Sequence, residues 1–400
     1  MNKKYIALII LILISLIGCT KTVTPPIIEQ PELPQIDPIE ELVKDMSLDE
    51  KIGQLMIVGL EGTEISEAEI IQINLNKVGG FIFFSRNIDN KNQVLALLNG
   101  LKDYNKNNKF PLFLSIDEEG GKVSRLSNIF NNLYDAATLG VKNNKEFSFE
   151  YGEIQGLKLN NIGFNINFAP VLDINSNPKN PVIGRRAIGT TAEVVSEQGI
   201  AVIDGLKSMN IIPAAKHFPG HGDTGVDSHL ELPLVDKSYE ELENLELIPF
   251  KAAIDKKVDM IMVAHILYPQ IDDKNPSSMS YNIIQSILRD KLGFNGVVIS
   301  DDMTMGAITE NYTLEEASVK FLQSGGDILL ISHGIENPFL VIERIKKAIT
   351  NEEISIEEID EKIYRILELK NRFKIHGDKI LDTKIDDINS RVTELNNKLK

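Results

Sequence analysis

The sequence predicts an α/β fold, a single (β/α)8 TIM-type barrel. Three observations point there. Eight short apolar runs rich in β-branched and aromatic residues alternate with longer amphipathic stretches, the order that builds parallel βα units. All but the first of those runs lead directly into ionisable residues, and barrels of this type carry their chemistry on the loops after the strands. The glycine-rich phosphate-binding fingerprints of open nucleotide-binding sheets are missing.

The strand-like runs fall at 55–58, 80–84, 112–116, 165–168, 211–214, 260–263, 297–299 and 328–331. Between them, 191–209, 239–257, 281–291 and 314–324 repeat apolar residues at helical spacing. Pro249 lies inside the second of these and predicts two shorter helices there, since proline removes a donor and clashes with the preceding turn. A last helix over 356–373 closes the ring. The residues after the runs include Ser85, Arg86, Asp117, Glu118, Glu119, Asp173, Lys216, His217, His265, Asp301, Asp302 and His333.

The chain divides into four parts: 1–19, 20–38, a barrel over 39–375, and a polar tail over 376–400, expected to be weakly packed with a surface helix near 386–399. Lys3 and Lys4 precede an apolar run over 5–14 that is too short to span a membrane and suits an export signal. The stretch 20–38 holds five prolines and no periodicity, the mark of an extended spacer. Cys19 is the sole cysteine, so no intramolecular disulfide can form. LIGC at 16–19 resembles the lipobox of bacterial lipoproteins. The resemblance implies a cleaved signal, a lipid on Cys19, and an extracytoplasmic, membrane-anchored protein; a buried core cysteine is the alternative. A net charge of −16 argues against nucleic acid as a partner.

The densest chemistry is the stretch KHFPGHGDTGVDSH at 216–229, which holds three of the six histidines. His217 and His221 stand four apart, a metal-ligand spacing on a helix, but Pro219, Gly220 and Gly222 oppose a helix there. Asp227 and His229 are two apart and share a side of an extended segment, so the carboxylate can hold one ring nitrogen and free the other for proton transfer. A polar loop with a merely hydrogen-bonded histidine fits the same local pattern.

This stretch resembles the signature of glycoside hydrolase family 3, in its β-N-acetylhexosaminidase branch. DEEGGKVSRL at 117–126, GGFIFFSRN at 79–87, NFAPVLD at 167–173, IGRR at 183–186 and SDDMTM at 300–305 also fit the family's blocks, in order, over about 40–373. The resemblance implies that Asp301 is the nucleophile and His229, oriented by Asp227, the general acid/base. It implies that Asp117, Arg125, Arg186, Lys216 and His217 bind the sugar. Asp302 is the local rival of Asp301, and Arg125 without the resemblance reads as an ion-pair partner of Glu119. The implied activity is retaining exo-hydrolysis of β-linked N-acetylglucosamine from muropeptides or chitin oligosaccharides, with no metal or cofactor. With no tryptophan in the chain, sugar stacking must fall to Phe, Tyr or polar contacts. A phosphorylase on the same site, or a non-catalytic sugar-binding lipoprotein, are the alternatives.

Overall fold

Strands covered by helices on the outside and by each other's side chains within are buried on both faces, so they can be apolar throughout. A computed structural model of the chain describes residues 37–228, 231–381 and 383–400. Residues 39–400 form one unit. Its strands are β1 (Met56–Gly59), β2 (Gly80–Phe83), β3 (Phe113–Ile116), β4 (Ile166–Asn167), β5 (Ile212–Phe218), β6 (Met260–Val263), β7 (Val297–Asp302) and β8 (Ile328–Ile331). Each pairs in parallel with the next, and β8 pairs back to β1, with Ile57 opposite both Gly80 and Leu330. The predicted (β/α)8 barrel is the observed fold. Phe81, Phe83, Phe113, Phe168 and Phe218 are fully buried within it.

Four of the surrounding helices start with reciprocal Ser-x-x-Glu capping boxes, at Ser47, Ser66, Ser238 and Ser355. Each satisfies backbone donors that the first helical turn leaves without partners. The segment expected to split at Pro249 does form two helices, Tyr239–Glu243 and Leu247–Asp255. The break falls ahead of the proline, which sits in the first turn of the second helix, where its missing N–H costs nothing. Residues Asn282–Lys291 wind as a π-helix.

Two strands outrun their apolar patterns. β5 continues through Lys216 and His217 to Phe218, and β7 through to Asp302. Each shifts register against its neighbour within the added residues. Apolarity marks where a strand meets the core, so polar residues at the mouth of the barrel read as loop although they are still strand.

The C-terminal segment departs from the weakly packed tail expected of it. Ile385–Leu399 is a helix with Ile388, Val392, Leu395 and Leu399 buried, laid on the helix Lys145–Ile162. Those four positions form one helical stripe that the polar composition around them conceals. Polar groups extend the contact: Asn389 Oδ1 accepts from Asn131 N at 2.6 Å, and Asn396 bridges Tyr134 N and Asn132 O. Asn132 and Leu133 in turn bond Gly121 in the loop after β3. The helix therefore braces a site loop from behind. Leu395→Ala should cost about 2–5 kcal/mol, the range for emptying a buried leucine site, read as a lowered denaturant midpoint. A change below about 0.5 kcal/mol would be the behaviour of a loosely held surface helix.

Candidate active site

The ends of the strands enclose a cavity of about 320 Å3 at the C-terminal mouth of the barrel. Asp117, Arg125, Arg186, Lys216, His217 and Asp301 all line it, although they come from four different strands or the loops after them. Asp227 is described and half-buried but does not line this cavity. His229 and Cys19 lie outside the described residues.

The β3 and β5 side carries a lattice of opposite charges. Lys216 Nζ donates to Asp117 Oδ1 at 2.6 Å and lies 2.7 Å from Glu119 Oε1. Glu119 also accepts a two-pronged contact from Arg186, Nε at 2.9 Å and Nη2 at 2.7 Å. Burial would raise the Glu119 pKa, but Arg186 and Lys216 outweigh it and hold the carboxyl well below its usual range. Burial likewise opposes the charge on Lys216, and Asp117 and Glu119 overcome it, raising its pKa. Paired this closely, these groups keep their charges although Glu119 and Lys216 are buried.

Arg125 is differently placed from its expected ion pair. Glu119 is taken up by Arg186 and Lys216, and Arg125 instead approaches Asp117, Nη2 to Oδ2, at 3.8 Å. That separation is too long for a hydrogen bond. Among the described residues Arg125 Nε has no acceptor. The middle acid of the triplet turns away: Glu118 accepts from Ser124 Oγ at 2.8 Å, Arg125 N at 2.8 Å and Leu126 N at 3.2 Å, shaping the loop that presents Arg125. At the turn between them, Gly120 has φ +92° and an added Cβ would lie 1.9 Å from the Tyr151 hydroxyl, so only glycine fits.

On the β4 and β5 side Asp173, which sequence alone marks only as an acid after a strand, is the organiser. Its Oδ2 is 2.6 Å from His217 Nδ1, and its Oδ1 accepts from His217 N and His221 N at 3.1 and 2.7 Å. Burial opposes its charge, but His217 and its own hydrogen bonds lower its pKa. His217 Nε2 then stands 3.5 Å from Arg186 Nη2. His221 is buried, and burial with the neighbouring His217 pushes its pKa down to about 4, so it is neutral at ordinary pH. Both its ring nitrogens meet hydroxyls, Nδ1 with Thr224 Oγ1 at 2.8 Å and Nε2 with Ser228 Oγ at 3.0 Å. His217 thus gives Nδ1 to a carboxylate, and His221 gives both ring nitrogens to hydroxyls. Among the described residues no group of three or more His, Cys, Asp or Glu side chains is arranged to hold a metal ion.

The segment after β5 is held at several points. Gly222 passes so close to the loop after β4 that a Cβ would lie 1.7 Å from Ile174 O. Asn180 Nδ2 donates to His221 O and Gly222 O. Lys237 joins Asp223 at 2.8 Å to Glu246 at 2.5 Å. Ser228, buried and lining the cavity, accepts at its carbonyl from Ala307 N at 3.2 Å, which ties this segment to the loop after β7.

The two acids ending β7 carry different loads. Asp302 Oδ1 accepts from Thr304 N, Thr304 Oγ1 and Ser332 N at 3.0, 2.7 and 3.0 Å, which fastens β7 to the end of β8. Asp301 accepts from Asp302 N at 2.9 Å. Burial works against its charge, yet the imidazoles of His217 and His265, the Asp302 N–H and Lys216 bring its pKa down to about 2. His265 itself is buried, with Nδ1 2.7 Å from Ser278 Oγ and Nε2 3.0 Å from Asp302 O. The site therefore presents an ionised carboxylate beside a dense array of hydrogen-bonding groups suited to hydroxyls.

Residues 47–369 match the family model described as the glycosyl hydrolase family 3 N terminal domain. A beta-hexosaminidase A from Pseudoalteromonas piscicida is 33% identical over 320 residues, 74% of this chain and 53% of that protein, so the chain spans about half of that relative. A beta-hexosaminidase from Tolumonas auensis is 35% identical over 300 residues, covering 72% and 88% of the two chains. The solved structure of a glycoside hydrolase family 3 beta-N-acetylglucosaminidase from Paenibacillus sp. str. FPU-7 aligns with a TM-score of 0.83 at 38% identity, covering 88% of this chain and 68% of that one.

Proposed function

The chain belongs to glycosyl hydrolase family 3, and from that premise we propose that it is a retaining, exo-acting β-N-acetylhexosaminidase that removes terminal N-acetylglucosamine from cell-wall or chitin-derived saccharides. The carrying observation is the contrast between two adjacent acids. Both line the cavity, but Asp301 is held ionised beside His217, His265 and Lys216, whereas Asp302 Oδ1 is committed to Thr304 and Ser332.

In this reading the terminal sugar fills the cavity, whose size suits one ring. Asp117, Lys216, Arg125, Arg186 and His217 hold its hydroxyl and acetamido groups, and the unpaired Arg125 Nε favours such a role over a structural one. Asp301 attacks the anomeric carbon and forms a covalent glycosyl–enzyme bond as the leaving oxygen departs. His229, oriented by Asp227, gives that oxygen its proton and then takes one from the water that cleaves the ester. Most glycosidases use a second carboxyl for this task; an imidazole titrating near neutrality can serve both steps. Two displacements at one carbon return the original configuration. The Cys19 lipid and the spacer that follows it would hold the barrel on a membrane, facing the wall.

Mass spectrometry after incubation with a 5-fluoro N-acetylglucosaminyl donor tests the reading. The expected result is a single added glycosyl group on the peptide carrying Asp301. A label on Asp302, or rapid turnover with no trapped adduct, would overturn it.

A further inference from the structure

The proposed chemistry leaves one flank of the cavity unused. Phe84, just after β2, and His333, just after β8, stack across the end of β1 with ring centroids 5.6 Å apart and planes at 25°. Both line the cavity that holds Asp301. The Arg86 guanidinium lies 4.5 Å from the Phe84 centroid and is itself fixed, Nε donating to Leu60 O at 3.1 Å and Nη2 to Ser332 O at 3.2 Å. The ring pair is therefore set by contacts among the loops after β1, β2 and β8.

Its place in the cavity says what it can touch. The His333 side chain is 55% exposed, with Nε2 3.8 Å from Asp302 Oδ2, so the pair reaches from the cavity wall to the rim. The charged array of Asp117, Glu119, Lys216 and Arg186 lies on the β3 to β5 side. Asp301 ends β7, the strand beside β8, within the influence of His217 and Lys216 on one side and next to Asp302, which approaches His333, on the other, so the reacting end of a bound sugar lies between that array and His333. A cavity filled by one ring obliges whatever is attached to the anomeric carbon to cross this rim.

We propose that His333, backed by Phe84, forms the subsite for the first sugar of the leaving group, taking the apolar C–H face of that ring against its outer face. The proposal rests on the hydrolase reading above and deepens it: the preferred leaving group is itself a saccharide, and the rings select for it. In a chain without tryptophan, a stacked Phe–His pair supplies the flat apolar surface such recognition needs.

Binding without turnover tests it. In an Asp301→Asn background, calorimetry gives Kd for N-acetylglucosamine, which fills the cavity alone, and for N,N′-diacetylchitobiose, which also reaches the rim. Adding His333→Ala should weaken the disaccharide about 3- to 10-fold, the scale of one ring contact, and leave the monosaccharide as it was. His333→Phe should restore the disaccharide. Equal weakening of both ligands places the rings against the terminal sugar, and no weakening removes them from binding; either result overturns the proposal. Failure of the Asp301→Asn parent to bind either saccharide is a different outcome, since it defeats the hydrolase reading before His333 is altered.

Discussion

Asp301→Ala should lower kcat by roughly 10⁴- to 10⁶-fold, the scale seen when a covalent nucleophile is removed, or roughly 5–8 kcal/mol of barrier at 1.36 kcal/mol per decade. No neighbouring group can replace it. Asp302 is held by Thr304 N, Thr304 Oγ1 and Ser332 N, and turning it toward substrate would strand those donors. The variant should still fold. The folded pKa of Asp301 is brought down to about 2, below its unfolded value. Its contribution to stability is therefore present above the unfolded pKa of about 4 and lost as pH falls through about 2. Removing the carboxylate at neutral pH forfeits that contribution, which for a chain this size corresponds to a melting shift of less than about 10 °C. Steady-state turnover of an aryl N-acetylglucosaminide, with melting followed in parallel, checks both halves. Added azide should revive the variant as a small nucleophile that fits the vacated space. Retention of more than about a tenth of wild-type kcat would exclude Asp301 as the attacking group, since no lesser role for it explains so small a loss.

The barrel was legible because its signal is redundant: eight apolar runs, helical spacing between them, and charge just beyond the strands. What escaped were features that pattern does not encode. Glu118 and Glu119 are neighbours in the chain, yet one turns back to shape its own loop and the other faces Arg186 and Lys216. Sequence shows three acids after β3 but not which way each points, so an ion pair of Arg125 with Glu119 stood as the alternative to sugar binding, whereas Arg125 approaches Asp117. Asp173 was visible only as an acid after a strand; its grip on both His217 and His221 depends on β4 and β5 lying side by side. The extended ends of β5 and β7 were hidden because residues chosen for chemistry are polar, whatever their backbone does. The C-terminal helix was expected, but its packing was hidden for the opposite reason, four apolar residues spread thinly through a charged segment. By contrast, Asp117, Arg125, Arg186, Lys216, His217 and Asp301 were implied by the resemblance of their motifs to the family's, and they share one cavity.

His229→Ala should separate substrates by their leaving groups. Proton donation by a positioned acid contributes about 10²- to 10⁴-fold, but only where the departing oxygen needs a proton. For N,N′-diacetylchitobiose, whose leaving sugar hydroxyl is a very weak acid, kcat/KM should fall by about that factor. For a 2,4-dinitrophenyl glycoside the oxygen leaves as a stable anion, so kcat/KM, which reports the first displacement, should fall less than about 10-fold. The second displacement uses the same imidazole as base whatever group has left. The aryl substrate should therefore show a lowered kcat with an accumulated glycosyl–enzyme, and azide should relieve it because that anion needs no base. In the proposed mechanism the acid comes from this part of the chain. Ser228, the residue before His229, lines the cavity, meets His221 through its hydroxyl, and accepts from Ala307 on the loop that follows Asp301. Because His221 is neutral, the contact with Ser228 survives across the pH range in which an imidazole acid would titrate. Equal losses of kcat/KM on the saccharide and the dinitrophenyl glycoside would mean that residue 229 supports the site without transferring a proton, and the acid would have to be sought elsewhere along the rim.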